Sequence, residues 1–103
     1  GVDLAAPAGT NVKTCASGTV TRIEQDDRYG MIVEISHGND LLSLYGNMAK
    51  DGLVELGEVV SCGDIIGKVG KTSTFEASGA EHLHFSLKLK DEPVDPGKYI
   101  KGL

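Results

Sequence analysis

Residues 82–89, His-Leu-His-Phe-Ser-Leu-Lys-Leu, alternate polar and apolar side chains without a break. In a β-strand successive side chains point to opposite faces, so one face here is apolar and the other is not. Leu83, Phe85, Leu87 and Leu89 seek a core, while His82, His84, Ser86 and Lys88 share the other side. The two imidazoles then sit roughly 6.5–7 Å apart along the strand. One could ligate a metal while its neighbour stands beside a metal-bound water, placed to move a proton or steady developing charge. Two histidines on a polar strand face are also commonly no more than solvated. Support for chemistry has to come from the elements around them.

Those elements read as short strands and turns. Residues 1–10 read as a loop ending in a turn, Val12 to Cys15 as a short strand, and Ser17-Gly18 as a turn. Gly18 to Glu24 carries the β-branched Thr19, Val20, Thr21 and Ile23 and reads as a strand. A turn at Asp26–Gly30 precedes Met31 to Ser36, with Met31, Val33 and Ile35 on one face and Ile32, Glu34 and Ser36 on the other. Gly38-Asn39-Asp40 turns the chain into Leu41–Tyr45, which makes a hairpin. Val54 to Val60 and Ile65 to Val69 are further short strands. Residues 71–81 show no period and read as a long loop, a common place for function. After the strand 82–89 come a turn at Lys90–Glu92 and a final turn or short helix over Asp95–Tyr99. Gly18, Gly30, Gly38, Gly63 and Gly67 read as turn residues needing positive φ. No Gly-Lys-Ser/Thr phosphate loop is present.

Composition agrees with a turn-rich β protein. Fourteen glycines accompany 5% aromatics and no Trp in 103 residues, which suits one domain. The net charge of −5, with basic residues scattered, argues against nucleic-acid binding through phosphate neutralisation. No run is long enough for a transmembrane helix, so membrane attachment would need an anchor elsewhere. The chain begins at Gly1 without an initiator Met and reads as an N-terminally truncated fragment of a longer protein. Cys15 and Cys62 lack partners at metal-ligand spacing, and two free, partly buried thiols are expected. A disulfide would require their Cα atoms within about 7 Å.

Several phrases fall into one order. Gly1-Val2-Asp3 is followed by Ala5-Ala6-Pro7, Gly18-Thr19-Val20, Ser36-His37-Gly38-Asn39, Leu44-Tyr45, Gly63-Asp64-Ile65-Ile66-Gly67, His82-Leu83-His84-Phe85 and Val94-Asp95-Pro96. In this order and spacing the chain resembles the lysostaphin/LytM-type zinc endopeptidases over nearly its whole length. The resemblance implies an all-β fold, mainly one large antiparallel sheet with little helix, spanning 1–103 as a single domain. It implies hydrolysis of peptide bonds in bacterial peptidoglycan and an extracytoplasmic, cell-envelope location. It also implies zinc, held by a His-x-Gly-x-Asp motif and by the second His of His-x-His. Carried over, Asp3 and His84 are the expected metal ligands and His82 is an expected catalytic residue. Three protein ligands would leave a position for water, whose pKa zinc lowers to about 7.

Two positions depart from that pattern. The His of His-x-Gly-x-Asp would lie four residues before Asp3, upstream of Gly1. Asn47 stands where a second active-site His is expected, two residues after Tyr45. An Asn side chain cannot take up a proton near neutral pH, and losing a proton-transfer group costs roughly 10²–10⁴-fold in rate. His37 closes a strand and reads as structural, and Tyr45 as core. The resemblance therefore extends to the branch of the family in which a degenerate domain serves as a scaffold in the sporulation channel between mother cell and forespore. The expected function is a protein- or peptidoglycan-binding scaffold with an impaired site; the alternative is an active zinc metalloendopeptidase. A swinging-arm carrier would share the Gly-x-Val strands, but Lys68 and Lys71 lack the context of a modified lysine and the His-x-His pair would go unexplained.

Overall fold

A computed structural model of the chain describes residues 2–72 and 82–95, with backbone only for Val2 and Asp3. These residues form nine strands and no helix: β1 (Val2–Ala5), β2 (Asn11–Lys13), β3 (Gly18–Asp26), β4 (Gly30–Ser36), β5 (Leu41–Met48), β6 (Val59–Val60), β7 (Ile65–Lys68), β8 (His82–Leu89) and β9 (Glu92–Pro93). The large sheet runs β1-β8-β5-β4-β3-β6, with β9 added on β8, and every pairing is antiparallel. A separate ladder joins β2 to β7.

Alternation decides which side chains meet. Val20 of β3, Val33 and Ile35 of β4, Tyr45 of β5, and Phe85 and Leu87 of β8 are buried on one side of the large sheet. Val12 of β2 and Ile66 of β7 join the same cluster, so the small ladder closes over that face. Each large apolar side chain so buried stabilises the fold by roughly 1.5–3 kcal/mol. The intervening residues Arg22, Ile32, Glu34, Leu42, Leu44, His84, Ser86 and Lys88 line the opposite face. The β4–β5 hairpin forms as expected, through Asn39 and Asp40 at φ 53° and 65° with Leu41 N–H donating to the Gly38 carbonyl at 3.0 Å. Positive φ at both central residues is the type I′ geometry that matches strand twist.

Several expectations need correction. Residues 2–5 are not loop: they pair with β8, from Val2 opposite Phe85 to Ala5 opposite His82. Only Val59–Val60 of the expected strand 54–60 is extended. Before it the chain turns, with Glu58 N–H on the Glu55 carbonyl and Gly57 at φ 86°. β5 runs on to Met48, past the expected end at Tyr45. Beyond the turn at Lys90 and Asp91, Glu92–Pro93 returns as a strand on β8. Gly18 does not need positive φ; it opens β3 because an added Cβ would collide with the Ser36 carbonyl oxygen. The long loop lies outside the described residues except for Lys71 and Thr72, and so does most of the expected turn or helix after Asp95.

Candidate active site

His84 sits mid-sheet, on the face away from the core. β8 lies between β1 and β5, so His84 has Asp3 directly across on one side and Gly46 on the other. Residues directly opposite in a ladder share a face, which places position 3 and position 84 together. Gly46 suits the position, because a Cβ would stand 3.3 Å from the His84 Cβ and 3.2 Å from the Tyr29 Cβ, so both neighbours would have to give by a few tenths of an ångström. That gap lets Tyr29 reach over β5. Its ring stacks on the His84 imidazole, with centroids 4.2 Å apart and planes 12° from parallel. Stacking covers one face of the imidazole and fixes the plane of the ring.

Tyr29 is held by its turn. The Asp26 carboxylate accepts from the backbone N–H of Arg28 at 2.8 Å and of Tyr29 at 2.9 Å. These bonds hold the Asp26 carboxyl below the usual carboxylate range. The Tyr29 carbonyl in turn accepts from Asn47 N–H at 2.7 Å. Beside this stack runs an open groove of about 360 Å³, floored by Ile32, Leu42 and Leu44 and edged by Arg22, Glu34, Ser86 and Lys88.

Asn47 is built into the fold. It is 3% exposed and takes φ 61°, a left-handed conformation that Asn tolerates better than most residues. Its Nδ2 donates to the His82 carbonyl at 2.7 Å, and its Oδ1 accepts from Thr72 N–H at 2.9 Å. Its own carbonyl accepts from Gly70 N–H at 2.7 Å. The side chain thus ties together Thr72 and His82, the residues that flank positions 73–81. Thr72 adds a second knot: its hydroxyl donates to the Met48 carbonyl at 2.7 Å and accepts from Met31 N–H at 3.0 Å.

Of the residues singled out from the sequence, Asp3, His82, His84 and Asn47 therefore fall within one region of the sheet. Asp3 and His84 are directly opposed, His82 is two residues along the same strand face, and Asn47 contacts the backbone of His82. Among the described residues, no three His, Cys, Asp or Glu side chains gather closely enough to hold a metal ion. Asp3 and His84 are chemically suited to zinc, but two donors are one short of a catalytic site. The described residues thus do not by themselves complete a zinc centre. Tyr29 and Thr72 were not singled out. Asp26 two to three residues before a turn's backbone amides is a readable signal for the first, and nothing local marks the second.

One family model, peptidase family M23, matches residues 1–96. The chain belongs to peptidase family M23. Within that family it is 36% identical to the DD-carboxypeptidase/endopeptidase Mpg of Neisseria meningitidis over 93% of this chain and 21% of that protein. It is 35% identical to stage II sporulation protein Q of Bacillus subtilis, over 97% of this chain and 35% of that protein. The M23 chain thus spans about a third or less of the length of these curated relatives. A solved SpoIIQ–SpoIIIAH pore-forming complex matches with a TM-score of 0.72 and 33% identity, over 82% of this chain and 52% of the other. The catalytic domain of lysostaphin from Staphylococcus simulans matches with a TM-score of 0.84 and 28% identity, over 99% of this chain and 78% of the other. This M23 chain is thus similar both to named peptidases and to a component of a sporulation complex.

Proposed function

We propose that this is a degenerate M23 domain, one folded unit within a longer cell-envelope protein, which acts as a binding scaffold for a protein partner or peptidoglycan. Asn47 carries the reading. A residue meant to pass protons to or from a reacting water must have a titratable atom free to face it. Asn47 has no such atom, and both polar atoms of its amide are engaged by backbone groups of His82 and Thr72. The likeness to stage II sporulation protein Q, and to a solved complex of SpoIIQ with a second protein, supports a protein partner. The groove beside His84 is the natural seat for an extended peptide, with an apolar floor and charges of both signs on its rim.

A second reading, an active zinc endopeptidase acting on peptidoglycan, is favoured by the direct opposition of Asp3 and His84. His82 would then be the remaining catalytic imidazole, and zinc would supply Lewis acidity once a third ligand joins the two. The full-length protein, supplied with zinc, decides between the two readings. Release of soluble peptides from purified peptidoglycan should stay at background and be the same in wild type and His84→Ala. Release that His84→Ala abolishes would overturn the scaffold reading.

A further inference from the structure

A second constellation lies on the core side of the sheet, away from the groove. Cys15, just after β2, is half-buried, and its thiolate or thiol sulfur accepts from the Tyr45 hydroxyl at 3.2 Å. Its backbone N–H donates to the same hydroxyl oxygen at 3.1 Å. The His37 ring, held between Ser17 and Ser43, acts on the Cys15 thiol from the neighbouring strand end. The His37 Nδ1 is 2.8 Å from the Ser17 carbonyl oxygen, which can only accept, so Nδ1 carries the proton. Nε2 then accepts from the Ser43 hydroxyl at 2.7 Å, so the imidazole's basic nitrogen is reached through Ser43. Burial pushes the Cys15 thiol up, but His37 and Tyr45 outweigh it and leave the thiol below its ordinary value. A thiol beside an imidazole with a depressed pKa is the setting in which cysteine becomes a nucleophile.

Cys62 is the other half. It is exposed, on the turn after β6, and its Sγ lies 3.5 Å from the Cys15 carbonyl oxygen. The two backbones are tied at this point: Thr14 N–H donates to the Asp64 carbonyl at 2.9 Å, and Gly63 N–H to the Thr14 carbonyl at 3.0 Å. Ser17 Oγ accepts from Cys62 N–H at 3.0 Å. Both thiols are free. Among the described residues no third ligand joins Cys15 and His37 to hold a metal, so two-electron thiol chemistry is the use that the geometry fits.

We propose that Cys15 and Cys62 form a dithiol site that reacts with disulfide-bearing oxidants, with Cys15 as attacking thiol, His37 as its base and Cys62 as resolving thiol. In the first step Cys15 gives its proton to the Ser43 hydroxyl, which passes its own to His37 Nε2 2.7 Å away, and the Cys15 sulfur attacks one sulfur of the oxidant RSSR. A Cys15–SR bond forms, the oxidant's S–S bond breaks and RS⁻ leaves, taking up the proton. In the second step the Cys62 thiolate attacks Cys15 Sγ, the Cys15–Cys62 bond forms and the second RS⁻ leaves with the proton lost by Cys62. Two protein thiols are oxidised by two electrons, and RSSR is reduced to two RSH. The site is independent of the groove and of any metal there.

The test treats the reduced full-length protein with oxidised glutathione, followed by acid quench, alkylation and peptide mapping. Wild type should lose two hydrogens and yield a Cys15–Cys62 cross-linked peptide. Cys62→Ser, at an exposed position, should instead accumulate one glutathione on Cys15. His37→Gln should slow the reaction about tenfold at neutral pH, as thiolate character falls. No cross-link in wild type, or glutathione found on Cys62 ahead of Cys15, overturns the proposal. So does a Cys62→Ser protein whose Cys15 is unmodified.

Discussion

Replacing Asn47 with Ala should cost the fold about 3–5 kcal/mol, on three grounds. Removing the amide leaves the His82 carbonyl and the Thr72 N–H, bonded at 2.7 and 2.9 Å, without those partners. A buried polar group left unmade costs roughly 1–3 kcal/mol. Because Thr72 and His82 are themselves only half-buried, the lower part of that range applies to each. The third ground is backbone conformation. At φ 61° Ala suffers the left-handed clash between Cβ and carbonyl, about 1–2 kcal/mol, which Asn partly evades. Against a total stability of roughly 5–15 kcal/mol for a domain, the loss is large. Denaturant unfolding of wild type, Asn47→Ala and Asn47→Gly would measure it. Gly loses the same two hydrogen bonds but escapes the backbone clash. The usual order of the two residues should therefore invert, with Gly at least as stable as Ala. Hydrogen exchange at the Thr72 amide gives an independent reading, since its protection depends on Asn47 Oδ1. A loss below about 0.5 kcal/mol for Asn47→Ala, the range of an ordinary surface substitution, would refute the assignment of Asn47 as a structural tie.

Thr72→Val keeps the shape but removes the hydroxyl that serves Met48 and Met31, and should cost roughly 1–3 kcal/mol in the same unfolding assay. Gly46→Ala puts a Cβ 3.2 Å from that of Tyr29 and 3.3 Å from that of His84, so it should cost about 1–3 kcal/mol by overpacking. Its His84 ring resonances should move as the Tyr29 stack opens; unchanged shifts would contradict that packing. His37 titrates above its usual 6.5, chiefly because of the Cys15 side chain, so Cys15→Ser should bring it back down in an NMR titration. A group whose pKa rises on folding stabilises fully below its unfolded value and loses that contribution as pH passes its folded value. The stability gap between wild type and His37→Gln should accordingly be widest below about pH 6.5 and shrink as the pH is raised through the elevated pKa.

Strand content and facing were legible because alternation is a local signal. In β8 four apolar and four polar residues alternate, and Phe85 and Leu87 are buried while His84, Ser86 and Lys88 line the groove. Ile32, set apart from Met31, Val33 and Ile35 by the same rule, is on the groove face although it is 1% exposed. β1 was missed because Val2–Ala5 carries too few residues for a period and is held by its partner β8, a contact about 80 residues away in sequence. Val54–Glu58 failed as a strand for the reverse reason: apolar composition was present, but Val20 and Ile66 reach these residues only through isolated backbone hydrogen bonds, no ladder forms with them among the described residues, and Gly57 turns the chain. At the candidate site, residue types pointed to Asp3, His82, His84 and Asn47. The Tyr29 stack was invisible, because it depends on the absence of a side chain at Gly46, on another strand. The Cys15 environment was equally hidden, since His37, Tyr45 and Cys62 reach it from three separate segments.

On the proposed scaffold reading, Asn47 has a positive role as well as the lack of an expected imidazole. A neutral His also carries one donor and one acceptor nitrogen, but its five-membered ring holds them at other positions and angles than the Asn amide, so it does not reproduce the pair of bonds to His82 and Thr72. The Asn amide offers a donor and an acceptor on one carbon, and here each is used, on the two sides of residues 73–81. Relative to a His here, Asn47 would therefore differ in two ways at once: it lacks a titratable group, and it supplies a tie between Thr72 and His82. A scaffold that presents a fixed surface to a partner benefits from the second effect and has no need of the first. On this argument Asn47→His should weaken the fold while restoring a titratable group, and greater stability of the His variant would remove the physical basis for reading Asn47 as a commitment to binding.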